Sequence, residues 1–212
     1  LVNAKFLDHQ ITQPIELRDF PEWHQGIEHF GFWAIEISHP DCLDKIQSHQ
    51  RHLSKKIHPQ YLRQPHITLV AAGLMADNFY NQELLKQHIK QLENSNLQAF
   101  PLQLSHCDSF TTCPYLSIRD PHNKLNSLRN CFNNVAESDH PEDYIPHVTL
   151  GFYNQAYKTT DIIKDISNIN SIELEFMVSD IIFAQYKTKE IQGPYQVLHR
   201  IKLASTQQQA AR

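Results

Sequence analysis

His66 and Thr68, and 81 positions later His147 and Thr149, stand two residues apart in two matching stretches, Pro65-His66-Ile67-Thr68-Leu69 and Pro146-His147-Val148-Thr149-Leu150. In an extended strand, residues i and i+2 point to the same face and their neighbours to the other. Each stretch therefore offers a His–Thr pair backed by two apolar side chains. Two such strands brought face to face would set two imidazoles and two hydroxyls around one point. Imidazoles change protonation near neutral pH, so one can remove a proton from an attacking oxygen while the other protonates a leaving oxygen. The threonine hydroxyls can donate to the non-bridging oxygens of a phosphate. A 2′,3′-cyclic phosphate suits this centre, because its five-membered ring already strains the bond to be broken. No metal or other cofactor is required. His147 is the expected base towards water and His66 the expected acid, roles that exchange in the reverse direction.

The elements around the two motifs repeat as well. Phe32 to Ile37 reads as a mostly buried strand, and Asp41 to Ile57 as an amphipathic helix with Leu43, Ile46, Leu53 and Ile57 inward. A proline-bounded loop then leads to the strand at His66. Asn78 to Leu92 reads as a second helix with Phe79, Leu85, Ile89 and Leu92 inward, and Leu97 to Cys107 alternates as a half-buried strand. The order then recurs: a strand at Tyr115 to Ile118, a helix marked by Leu125, Leu128, Phe132 and Val135, a polar loop at Glu137 to Asp143, and the strand at His147. Asp161 to Ile166 is a short helix, and Ile172 to Val178, Ile181 to Tyr186 and Gln196 to Leu203 are closing strands. Strand, helix, loop and motif strand thus occur twice in units of about thirty residues, the length of a crossover unit. A duplicated lobe packed about a pseudo-two-fold axis would place both His–Thr pairs in one cleft.

The expected organisation is an irregular lead-in over residues 1–30, held to the body by Phe20, Trp23 and Phe30, a single bilobal domain over 31–203, and a polar tail over 204–212. The net charge of −4 disfavours a protein that grips duplex DNA through a broad basic surface, though not one that takes a single nucleotide end. No stretch approaches the roughly 20 apolar residues of a membrane span. Cys42, Cys107, Cys113 and Cys131 form no C-x-x-C pair, so reduced thiols are expected. With no signal-peptide layout at the N-terminus, a cytoplasmic monomer is the expected state.

The paired H-x-T-L motifs, each after a proline and each on a predicted strand, resemble those of the 2H phosphoesterase superfamily, within it the bacterial 2′-5′ RNA ligase-like or RNA 2′,3′-cyclic phosphodiesterase group. The resemblance runs from about Phe32 to Leu203 and includes Gly193-Pro194-Tyr195-Gln196-Val197-Leu198. It implies an α+β, bilobal fold whose two pseudo-symmetric lobes line a central cleft with antiparallel sheets and keep their helices outside. It also implies His66 and His147 as catalytic residues, Thr68 and Thr149 as phosphate-binding residues, and metal-independent opening of cyclic phosphates at nucleotides or RNA ends. Where many relatives carry a basic residue near the start of the first strand, this chain has His29-Phe30-Gly31-Phe32.

Around that centre, Tyr115, Tyr153, Tyr186 and Tyr195 are candidates to stack on a base, and Arg63 is a candidate phosphate contact. His49 and His52 share a helix at i and i+3, but no third metal ligand converges with them by spacing. Two alternatives use the same centre: a module that binds a nucleotide or RNA-end phosphate without turnover, and an enzyme that cleaves or joins linear 2′-5′ linkages.

Overall fold

The computed structural model describes residues 3–133, 144–169 and 172–205. Its elements run α1 (Ala4–Leu7), α2 (Pro21–His24), β1 (His29–Glu36), α3 (Pro40–His52), β2 (His66–Leu74), α4 (Gln82–Asn94), β3 (Phe100–Ser109), β4 (Pro114–Arg119), α5 (Lys124–Asn133), β5 (His147–Thr149), α6 (Thr159–Ser167), β6 (Leu174–Val178), β7 (Asp180–Lys187) and β8 (Tyr195–Lys202). Val135 and the loop 137–143 lie outside the described residues.

The strands form two four-stranded sheets, ordered β2-β1-β7-β8 and β5-β4-β3-β6. Every strand pair in them is antiparallel. The α+β, two-lobed architecture follows the expectation, and each motif strand takes the corresponding place at the edge of its sheet. One detail is corrected. The repeated strand–helix–strand unit is not a parallel crossover, because β1 lies antiparallel to β2 and β4 antiparallel to β5. After α3, the chain from Leu53 to Pro65 runs back along the body, so β2 starts beside the end of β1, pairing His66 with Glu36.

A single core joins the lobes. Trp33, Ile35, Ile67 and Leu69 from the first sheet and Leu102, Leu104, Leu116, Val148 and Leu150 from the second belong to one buried cluster. The helices close that side, and two of them cross over: α3 packs on β6 of the second sheet and α5 on β2 of the first. No helix among the described residues is long and apolar enough to cross a membrane.

Several boundaries differ from the sequence reading for local reasons. α3 ends at His52 rather than Ile57, and Ile57 instead bridges to Tyr153 of the second lobe. α4 starts only at Gln82, because the Asn81 side chain accepts from the amides of Glu83 and Leu84 and caps the helix there. Phe79 is left outside at 45% exposure while Tyr80 takes the buried place. In the lead-in, Phe6 is buried and Trp23 is largely exposed, so Phe6 is the main anchor. Ala204 is hydrogen-bonded to both Leu97 and Ala99, which extends the ordered body into the expected tail.

Behind the first sheet, Trp33 Nε1–H donates to the Tyr80 hydroxyl (3.1 Å), which donates in turn to His88 Nδ1 (2.6 Å). Burial holds the His88 pKa below its ordinary value, consistent with a neutral ring that accepts at Nδ1. Tyr80→Phe strands one buried donor and one buried acceptor. It should lower stability by about 2–3 kcal/mol, read as a lower urea midpoint with an unchanged slope.

Candidate active site

The alternation of β2 and β5 positions the site. Ile67 and Leu69, and Val148 and Leu150, are almost completely buried in the common core. His66, Thr68, His147 and Thr149 therefore face the opposite way, and all four are half-buried. The two strands are in contact across the lobes. Tyr144, three residues before His147, donates its hydroxyl to the main-chain carbonyl of Thr68 at 3.0 Å, which ties the approach to one motif directly to the other. Arg129 from α5 lies over the Tyr144 ring at 3.7 Å and is itself buried.

The two histidines have matching surroundings. His66 Nδ1 lies 2.8 Å from the Gln64 carbonyl and His147 Nδ1 lies 2.7 Å from the Ile145 carbonyl. A carbonyl can only accept, so each Nδ1 carries the proton, and in the neutral ring each Nε2 keeps its lone pair. Each ring also packs against two aromatics that touch each other, Phe32 with Tyr195 and Phe110 with Tyr115. Phe32 and Tyr195 approach His66 with centroids at 5.1 and 5.3 Å, and Phe110 and Tyr115 approach His147 at 4.9 and 5.3 Å. Burial is the first cause of a lowered pKa at both. His66 is held down to about 4, with the Arg63 and His147 charges adding to the effect.

One strand inward, the lobes diverge. Opposite His66 on β1 is Glu36, which accepts from the Tyr195 hydroxyl (2.8 Å) and from Arg200 (3.0 Å), and Arg200 also pairs with Asp180. Opposite His147 on β4 is Ser117, whose hydroxyl meets His106 Nδ1 at 3.1 Å. His106 lies in an irregularity of β3 between Leu104 and Cys107, the kind of bulge that re-aims a side chain beside a site.

The structure relocates the other candidates. Tyr153 is wholly buried with its hydroxyl 2.6 Å from Ser109 Oγ, and Tyr115, almost wholly buried, donates to Asp108 at 3.1 Å. Neither presents a ring face to a ligand; Tyr115 serves as a wall of His147. Tyr195, also buried, is a wall of His66. Half-buried Tyr186 receives the Arg63 guanidinium over its ring at 3.9 Å, while that guanidinium donates to the carbonyls of Glu190, Ile191 and Gly193. Arg63 thus fastens the β7–β8 turn to the loop before β2. His49 and His52 face separate partners, the carbonyls of Lys45 and Asp165, and among the described residues no three His, Cys, Asp or Glu side chains converge as a metal site would need. All four cysteines are free thiols, and burial pushes Cys113, beside Thr149, up to about 11.

Sequence reasoning missed Phe32, Phe110, Glu36, Ser117, His106 and Arg200. Phe32 and Glu36 were legible in principle, since they alternate with the core residues Trp33 and Ile35 on the strand before the first motif. Arg200 was not, because it reaches Glu36 only through the sheet order that places β8 beside β7.

A model of the 2′-5′ RNA ligase superfamily matches residues 37–190, which include both motifs. The chain belongs to the 2′-5′ RNA ligase superfamily. Solved structures of the same fold include E. coli LigT in its apo form, 17% identical with a TM-score of 0.54 over 84% of this chain and 99% of LigT. A phosphoesterase is 18% identical, with a TM-score of 0.56 over 83% of this chain and 99% of its own. TT0787 of Thermus thermophilus is 13% identical, with a TM-score of 0.58 over 84% and 99%. A search of curated proteins returns no match. Membership in the superfamily supports phosphoesterase-type chemistry.

Burial of neutral His66 also makes stability depend on pH. The unfolded chain, with a pKa near 6.5, binds more protons in acid than the folded chain does. The stabilisation is complete above that value and is lost as pH falls from there through about 4. His66→Gln should flatten this acid slope in urea titrations between pH 7 and 4.

Proposed function

We propose that this protein is a metal-independent phosphodiesterase that opens 2′,3′-cyclic phosphates of nucleotides or RNA ends. The observation that carries the reading is the matched pair of imidazoles, each with Nδ1–H on its own backbone carbonyl and Nε2 left as the reactive nitrogen. In-line displacement at phosphorus needs a base on one side and an acid on the other, and this pair supplies one group from each lobe. Thr68 and Thr149, on the same strand faces, are the donors to the non-bridging oxygens. Superfamily membership supports the reaction class, and among the structures of like fold, E. coli LigT has been solved with 3′-AMP and with ATP, in keeping with a nucleotide ligand. Glu36, Asp180, Arg200, Ser117 and His106 flank the centre as groups for the ribose or the next nucleotide.

Both histidines are neutral at pH 7 in the free protein, so one must gain a proton before it can serve as acid. A bound phosphate anion raises the pKa of both rings, and the proton is therefore taken up together with the substrate. The same pair serves either direction of reaction.

Incubation with 2′,3′-cyclic mononucleotides and with RNA ending in a cyclic phosphate, in excess chelator, should give turnover. His66→Ala and His147→Ala should each lower kcat by about 10²–10⁴-fold, and Thr68→Val and Thr149→Val by smaller factors. Nucleotide binding without product would make this a binding module, and turnover of linear 2′-5′ linkages alone would make it an enzyme for those; either result rejects the cyclic-phosphate reading. Because kcat/KM reports the free protein and both imidazole pKa values are lowered, the pH profile of kcat/KM should peak below about pH 6.5. A peak at pH 8 would show that these two groups are not the acid and base.

A further inference from the structure

The stretch from Asn3 to Ile15 lies outside the residues matched by the superfamily, yet it is built into the second lobe beside His147. The Asn3 amide donates to Asp108 Oδ1 at 3.0 Å, on the strand face that also carries Tyr115. Phe6 is buried in the core. The amides of Thr12, Gln13 and Ile15 donate to the carbonyls of Tyr157, Thr111 and Tyr153 at 2.8, 2.8 and 3.1 Å, and Thr159 Oγ1 donates to the His9 carbonyl at 2.7 Å. These contacts fix the segment along its length rather than leaving it as a loose lead-in.

Between this segment and the β3–β4 turn is a cavity of about 200 Å³. Phe6, Phe110 and Ile145 give it an apolar floor, and Lys5, His9 and Thr111 a polar rim. It adjoins the reaction centre through two of those residues. The Phe110 ring, stacked on Tyr115 at 4.3 Å, stands 4.9 Å from the His147 ring, and the Ile145 carbonyl holds His147 Nδ1.

We propose that this cavity receives the base of the nucleotide whose phosphate lies between His66 and His147, so that the N-terminal segment is a substrate-recognition element. The inference rests on the cyclic-phosphate reading for its phosphate and adds the position of the base. A nucleobase matches the chemistry of the walls, with flat apolar faces for Phe110 and Ile145 and a polar edge for His9 and Thr111. An apolar floor suits neither a second phosphate nor a metal ion. The volume holds one base, and Phe110, with its ring 4.9 Å from that of His147, is a wall shared by the cavity and the reaction centre.

Two measurements test this. First, kcat/KM is compared for 2′,3′-cyclic AMP and for ribose 2′,3′-cyclic phosphate, which lacks the base. Base stacking predicts a preference of about tenfold or more for the nucleotide, expressed in KM. In His9→Trp, an exposed rim position whose new side chain fills the cavity, that preference should fall towards unity. Equal kcat/KM for the two substrates in the unaltered protein overturns the base site and leaves the phosphodiesterase reading intact. Second, adenosine 3′-monophosphate is titrated while backbone amide shifts are followed by NMR. Shifts at His9 and Thr111 support the cavity even if neither cyclic substrate turns over, a result that would reject the phosphodiesterase reading alone. Shifts confined to β2 and β5 overturn it.

Discussion

The site depends on the burial of four aliphatic side chains. Ile67, Leu69, Val148 and Leu150 face the shared core, and the two-residue period of a strand then leaves His66, Thr68, His147 and Thr149 no other direction than the cleft. A one-residue slip of either strand would exchange the two sets, exposing two aliphatic side chains and burying an imidazole and a hydroxyl. The hydrophobic cost of that exchange holds the His–Thr pairs in register. Because both apolar sets belong to a single cluster, it also holds the two lobes together. The Tyr144 bond to the Thr68 carbonyl adds a polar tie at the point where the motifs approach.

The same burial sets the electrostatics. A pair of aromatic rings packed against each histidine helps withdraw it from water, which disfavours the imidazolium and keeps both rings neutral, while the carbonyl bonds at Nδ1 fix the tautomer. Two neutral imidazoles with aimed lone pairs are poised for an anion that brings its own reason for protonation. The surrounding groups are less symmetric than the motifs. Glu36 with Arg200 flanks one imidazole and Ser117 with His106 the other, so the two sides of the centre differ in chemistry.

The H-x-T repeat was readable because strand geometry leaves little freedom in where such a pair can point, and the order of strands and helices was readable from apolar periodicity. What escaped sequence reasoning was set by contacts between distant residues. Thirty residues of strand, helix and strand are compatible with parallel or antiparallel return, and only the path of residues 53–65 makes it antiparallel. Tyr115 and Tyr153 are base-stacking candidates in sequence, but Asp108 and Ser109 satisfy their hydroxyls inside the lobe and let them be buried. Phe79 and Tyr80 are adjacent and similar; the Trp33–Tyr80–His88 chain selects the tyrosine for the interior. Arg200, far down the chain, reaches Glu36 through sheet order alone.

That sheet order is interleaved along the chain. The second sheet, β3 to β6, is made from one continuous stretch, whereas the first takes β1 and β2 from before it and β7 and β8 from after it. During synthesis the His147 half of the cleft can assemble as soon as residue 178 has emerged. The His66 half at that moment is only the β1–β2 hairpin, which has little stability by itself. Its remaining wall, Tyr195, arrives on the last strand. A chain that ends before β8 therefore carries both histidines but lacks Tyr195, and the cleft around His66 is complete only with the last strand.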